Sequence, residues 1–160
     1  MSHPSLGLPP TDRLSALPPA AARVDAARDR LAARALEIAI DRDPTLRERN
    51  DEYTMRRLLR DVAALLDQVV ASLAAGSPAP ARTFADALPP MYRRRKVPMN
   101  DLITICEGIR AAIGAILPRA DHPPVDAAID EMIERFKWHG RIAGDGRKRK
   151  RLLQAIYKGA

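Results

Sequence analysis

Apolar residues recur at helical spacing over most of this chain. Between 51 and 75, Leu58, Leu59, Val62, Leu65, Leu66, Val69, Val70 and Leu73 return every three or four positions. Arg56, Arg57, Arg60, Asp61, Asp67 and Gln68 fill the other side. That pattern predicts a long amphipathic helix from about Asp51 to Ala75, ended by "GSPAP" at 76–80. Upstream, Val24, Ala27, Leu31, Ala35 and Ile38 share one face of a helix expected over Ala21–Ile40, and "DRDP" at 41–44 stops it.

The segment 98–117 is different. Met99, Leu102, Ile103, Cys106, Ile109, Ile113, Ile116 and Leu117 form a stripe that Ile105, Ala112 and Ala115 widen. A helix this apolar is expected at the centre of the fold, covered on several sides. Pro98 suits its first position, and Asn100 and Asp101 suit the positive end of its dipole. Gly108 and Gly114 weaken an isolated helix, and in a buried one they permit close backbone crossing. Pro118 ends it. Shorter elements flank it: a helix over Ala81–Leu88 and a helical turn over Met91–Lys96. A further helix starts in "DHPPVDAAID", with Val125, Ala128, Ile129, Met132, Ile133 and Phe136 facing inward. "GRIAGDG" at 140–146 reads as a hinge, and a last helix is expected over about Arg147–Tyr157. No strand-like alternation of useful length occurs. The expectation is an all-α chain of five or six helices.

Composition agrees with this. Aromatic residues are 4% of the chain against 46% hydrophobic overall, which favours helix packed on helix. The 160 residues suit one domain with tails, divided here as 1–20, 21–140 and 141–160. Residues 1–20 hold five of fourteen prolines and are expected to be a flexible Pro-rich arm. The formal net charge is +7, of which 141–160 carry +6, so the basicity belongs to the C-terminal segment and not to the body.

Candidate chemistry is sparse. The one cysteine, Cys106, excludes an internal disulfide and reads as a buried thiol. His122 suits a helix start, His139 follows Trp138 at a helix end, and His3 lies in the arm. The central helix carries no histidine, so no haem is expected, and the His and Cys spacings form no zinc set. Asp130, Glu131 and Glu134 read as surface charges rather than an acid–base dyad. The expectation is a non-enzymatic protein without cofactor or metal. No apolar run spans a membrane and no signal peptide opens the chain, so a cytoplasmic location is expected.

"FADALPPMYRRRKVPMNDLITICEGIRAAIGAIL" at 84–117 resembles the core of RsbRD N-terminal-type regulatory domains. The matching features are Arg93–Lys96, the step Val97-Pro98, the apolar pair Leu102 and Ile103, and Glu107–Arg110. The likeness covers roughly 45–135 and includes the preceding long helix. Such domains stand at the front of RsbR-like stressosome proteins, some histidine kinases and PucR-like transcription factors. The resemblance implies a globin-like helical fold without haem, dimeric, that senses or relays a signal.

Two basic runs remain. Arg147, Lys148, Arg149, Lys150 and Arg151 crowd the start of the last predicted helix, where the dipole disfavours cations. An anionic partner would relieve that cost. Leu152, Leu153, Ile156 and Tyr157 beside them suit a mixed electrostatic and apolar docking helix. An acidic protein partner is therefore expected there, with nucleic acid the alternative, and a haem or small-ligand globin ranks last. Arg93, Arg94, Arg95 and Lys96 read as a solvent-facing turn paired with neighbouring carboxylates. The resemblance adds a second role for them, the rim of a dimer or ligand pocket.

Overall fold

The computed structural model describes residues 17–143. Every described regular element is helical: α1 (Pro19–Ala26), α2 (Arg28–Arg42), α3 (Thr45–Glu48), α4 (Glu52–Ala75), α5 (Ala79–Ala87), α6 (Pro89–Arg94), α7 (Met99–Gly114) and α8 (His122–Ala143). A 3-10 turn, Arg119–Asp121, leads into α8. Of the arm predicted over 1–20, residues 1–16 lie outside the described residues, as does the predicted helix at 147–157, whereas Pro19 and Ala20 open α1 and Leu17 and Ala20 pack against the core.

There are more helices than the five or six expected, because the predicted 21–40 helix divides at Ala27 and a short helix, α3, forms in the connection after it. Its φ of −100° and ψ of 6° leave the α region, and its N–H is shared between the carbonyls of Arg23 and Val24. The break lets α1 pack on α4 while α2 turns to pack on both α4 and α7. Arg28, first residue after the break, is fixed by the Asp67 carboxylate of α4, with Nη2 2.8 Å from Oδ2. At the other end of α2, Asp43 accepts from the Thr45 amide at 3.1 Å, an Asx turn that launches α3 and buries Leu46.

The four longest helices form a ring in the order α2, α7, α8, α4, with α5 laid against α4 and α8. Their inward faces build one hydrophobic cluster. The predicted face of α8 is buried in full, as are Leu58, Val62, Leu65, Leu66, Val69, Val70 and Leu73 of α4. Leu59 departs from the prediction and is 37% exposed. The apolar α7 does occupy the interior, between α2 and α8. It stops at Gly114, so Ala115 and Ile116 fall in a turn and face solvent. Pro98 precedes the helix with extended ψ, 145°, and Met99 is the first helical residue.

Small residues set the closest approach. A Cβ on Gly108 would overlap the carbonyl oxygen of Ala35 and lie 3.2 Å from its carbonyl carbon. The α2–α7 crossing therefore requires glycine. Gly114 plays no such part, since a Cβ there would meet only the His122 ring, at 3.7 Å.

Helix ends explain the connections. Asp51 caps α4 by accepting from the Thr54 amide at 2.8 Å. Gly76 ends α4 in the left-handed region, φ 63°, where glycine is unstrained. Buried Ser72 of α4 accepts from the Ala81 amide of α5, tying the two helices together. The "KVP" step has a similar logic. Val97 N–H reaches the Tyr92 carbonyl at 3.0 Å and Lys96 N–H reaches that of Arg93 at 3.1 Å. This is a Schellman closure with Lys96 at φ 58° and Val97 buried behind it. A side chain in that conformation costs about 1 kcal/mol relative to glycine.

Candidate functional site

The basic run 92–96 is not one continuous rim. Arg93, Arg94 and Lys96 are exposed, as expected. Arg95 turns inward instead. Its side chain is 11% exposed and its Nη2 lies 2.8 Å from Asp61 Oδ2 on α4. The guanidinium also sits over the ring of Tyr92, 5.0 Å from the centroid, and Tyr92 is fully buried. The pair is an ion contact rather than a well-directed hydrogen bond, since neither Asp61 Oδ2 nor Arg95 Nη2 meets hydrogen-bond geometry. Burial, then the nearby Asp61 charge, pushes the Tyr92 phenol above its ordinary range. Burial works against the charge on Arg95, and Asp61 more than offsets it. The inward turn has a structural cause. Tyr92 and Arg95 stand three apart at the end of α6, on the side where Arg95 meets Asp61 of α4.

Other charges also cross-link helices. Arg49 Nη2 lies 2.7 Å from Asp101 of α7, whose side chain is 5% exposed. Arg49 also reaches Asp43, at 3.4 Å. Asp101 thus serves more than the dipole of α7. Arg110 of α7 gathers Glu107 at 3.1 Å, Asp126 at 2.7 Å and Asp130, the last two on α8. Burial works against the charge of Arg110, and the Asp130 and Asp126 carboxylates overcome it. Glu131 bridges Arg82 of α5 at 2.6 Å and Arg135 at 3.3 Å. Those hydrogen bonds hold its carboxyl below the usual range. The arginine set had one legible signal, Arg and Asp at helix-compatible positions, but partners 16 to 52 residues apart are not readable from spacing.

The cysteine and histidines take structural places. Cys106 is fully buried, and burial pushes its thiol up to about 12. His122 Nε2 lies 3.0 Å from the Leu117 carbonyl, bracing the turn before α8. His139 is not at a helix end, because α8 continues to Ala143, and its Nε2 is 3.2 Å from Asp86 of α5. The segment expected to hinge at 140–146 therefore begins as helix. A Cβ on Gly140 would make only ordinary contact with Met99.

The far end of α8 carries exposed apolar side chains. Trp138 is 46% exposed and Ile142 63%. They are four residues apart and so share one helix face. The sequence-predicted docking residues Arg147, Lys148, Arg149, Lys150, Arg151, Leu152, Leu153, Ile156 and Tyr157 lie outside the described residues. Two shallow depressions mark the body. One, between α2 and α7, is floored by Leu31, Ala112 and Ile116, and the other lies between Gln68 of α4 and Phe84 of α5. Among the described residues no group of His, Cys, Asp and Glu is arranged to hold a metal, and no helix is long and apolar enough to cross a membrane. No family model matches the chain, and a search of curated proteins finds no match.

Proposed function

We propose that this protein is a non-enzymatic regulatory or sensory helical domain, of the non-haem globin-like, RsbRD N-terminal type, that works by binding an acidic protein partner. The observation that carries the reading is the exposed pair Trp138 and Ile142 on the last turns of α8. They place apolar surface directly ahead of a segment that holds Arg147–Arg151, Leu152, Leu153, Ile156 and Tyr157. Charge for attraction beside apolar area for contact is the composition of a docking element. The cross-linked body supports it as a stable platform, since its internal carboxylates are matched by arginines on other helices. Dimerisation and a cytoplasmic location belong to the same proposal.

The test is capture from the cells that make the protein, using the full chain and a 1–146 truncation. The partner should be an acidic protein, retained by the full chain and lost by the truncation. Its affinity should fall with salt, since exposed charges are screened over about 8 Å at physiological ionic strength. Equal retention by both chains would reject the docking role.

A further inference from the structure

Where the end of α6 reaches α4 through Arg95 and Asp61, charge is left over. Arg95 and Asp61 neutralise each other. Around them Arg57, Arg60, Arg93, Arg94 and Lys96 have no carboxylate partner among the described residues; Arg23, Arg30, Arg42, Arg119 and Arg141 share that lack, but only these five stand within four residues of one ion pair, Arg95–Asp61. Arg57 stands one turn before Asp61 on the same stripe of α4, and Arg93, Arg94 and Lys96 flank Arg95. The stripe continues to Tyr53, 64% exposed, with the Arg57 guanidinium 5.7 Å from its ring centre. Glu52 beside it is already engaged by Arg56, at 3.4 Å.

We infer that this face binds the phosphate backbone of a single-stranded nucleic acid, with Tyr53 as a stacking platform. Two observations favour that ligand. Four of the five unpaired cations are arginines, whose planar fork matches phosphate oxygens. The patch has an aromatic face yet no apolar centre, as suits a ligand held by charge and stacking. An acidic protein would call for a desolvated core of contact, which the patch lacks. This reading goes beyond the docking role of the C-terminal segment and uses different residues.

The test is fluorescence anisotropy of a labelled single-stranded 20-mer with the full chain, repeated with Arg147–Arg151 neutralised so that the tail contributes nothing. The triple variant Arg60→Glu, Arg93→Glu, Arg94→Glu changes exposed positions only. It should bind at least tenfold more weakly in both backgrounds. Its slope of log affinity against log salt should be shallower by about two. Tyr53→Ala should weaken binding about tenfold. The single variant Arg94→Glu serves if the triple variant melts early. Wild-type affinity and slope in these variants would overturn the proposal. So would displacement of the oligonucleotide by poly-glutamate at equal charge, which would assign the face to an acidic protein.

Discussion

Gly108 of α7 lies against the backbone of Ala35 on α2, so near that a single methyl group would strike the Ala35 carbonyl. Helix propensity alone says that Gly108→Ala should stabilise by about 1 kcal/mol. The contact says the reverse, because the obstacle is main chain and cannot rotate away. Gly108→Ala should destabilise by about 1–3 kcal/mol, read from urea midpoints. Gly114→Ala and Gly140→Ala meet only ordinary contacts and should be neutral or stabilising by up to about 1 kcal/mol. If all three variants behave alike, the α2–α7 crossing is not as close as described.

The Asp61–Arg95 pair gives a second outcome. Removing one partner strands a mostly buried charge, while removing both does not. Asp61→Ala should cost about 2 kcal/mol, less than a fully buried pair would because both side chains keep some solvent. Asp61→Ala combined with Arg95→Met should cost less than Asp61→Ala alone. A double-mutant cycle with additive effects would remove the pair from the account.

The pH dependence follows from three groups. Cys106 and Tyr92 both have their protons held more tightly in the folded protein, the thiol by burial and the phenol by burial and Asp61. Their contribution is complete below the ordinary values, 9.0 and 10.0, and is lost as pH rises above them. Glu131 has the opposite sign. Held down by Arg82 and Arg135, it contributes above its ordinary 4.5 and loses that contribution as pH falls below it. Thermal melts should therefore show a plateau between about pH 5 and 9, with losses on both sides. Tyr92→Phe should soften the alkaline limb, and Arg82→Gln the acid one. The Cys106 thiol should react with a disulfide reagent only as fast as the protein unfolds.

Lys96 separates stability from binding. Lys96→Gly relieves the left-handed strain and should stabilise by about 1 kcal/mol, while weakening the oligonucleotide complex. A melting temperature unchanged by this substitution would argue against the Schellman closure at 92–97.

Much of this fold was legible because period and burial coincide. The stripes of α4 and α8 were read correctly at nearly every core position, since an apolar residue repeated at helical spacing has few places to go, whereas in the α7 stripe Met99 and Ile103 are only half-buried and Ala115 and Ile116 exposed. The break at Ala27 left no trace. No glycine or proline stands there, and the bend is imposed by what α1 and α2 each pack against. The inward turn of Arg95 was hidden for the same reason. Four cations in a row look alike until the partner, Asp61, is brought up from another helix. Of the candidate site, composition marked both basic runs. It could not say which member of the first run was structural, nor that Arg95 would bring the run up to Asp61, the neighbour of Arg57 and Arg60 on α4.

The central claim is that the C-terminal segment docks onto a partner while the helical body stands without it. The most direct measurement compares the full chain with the 1–146 truncation, by circular dichroism melting and by partner binding against salt. Superimposable helical melts are expected, with loss of binding in the truncation, slower association when Arg147–Arg151 are neutralised and faster dissociation in Leu153→Ala. A truncated chain that melts the same and binds the partner just as tightly would contradict it, and would move the partner surface onto the helical body.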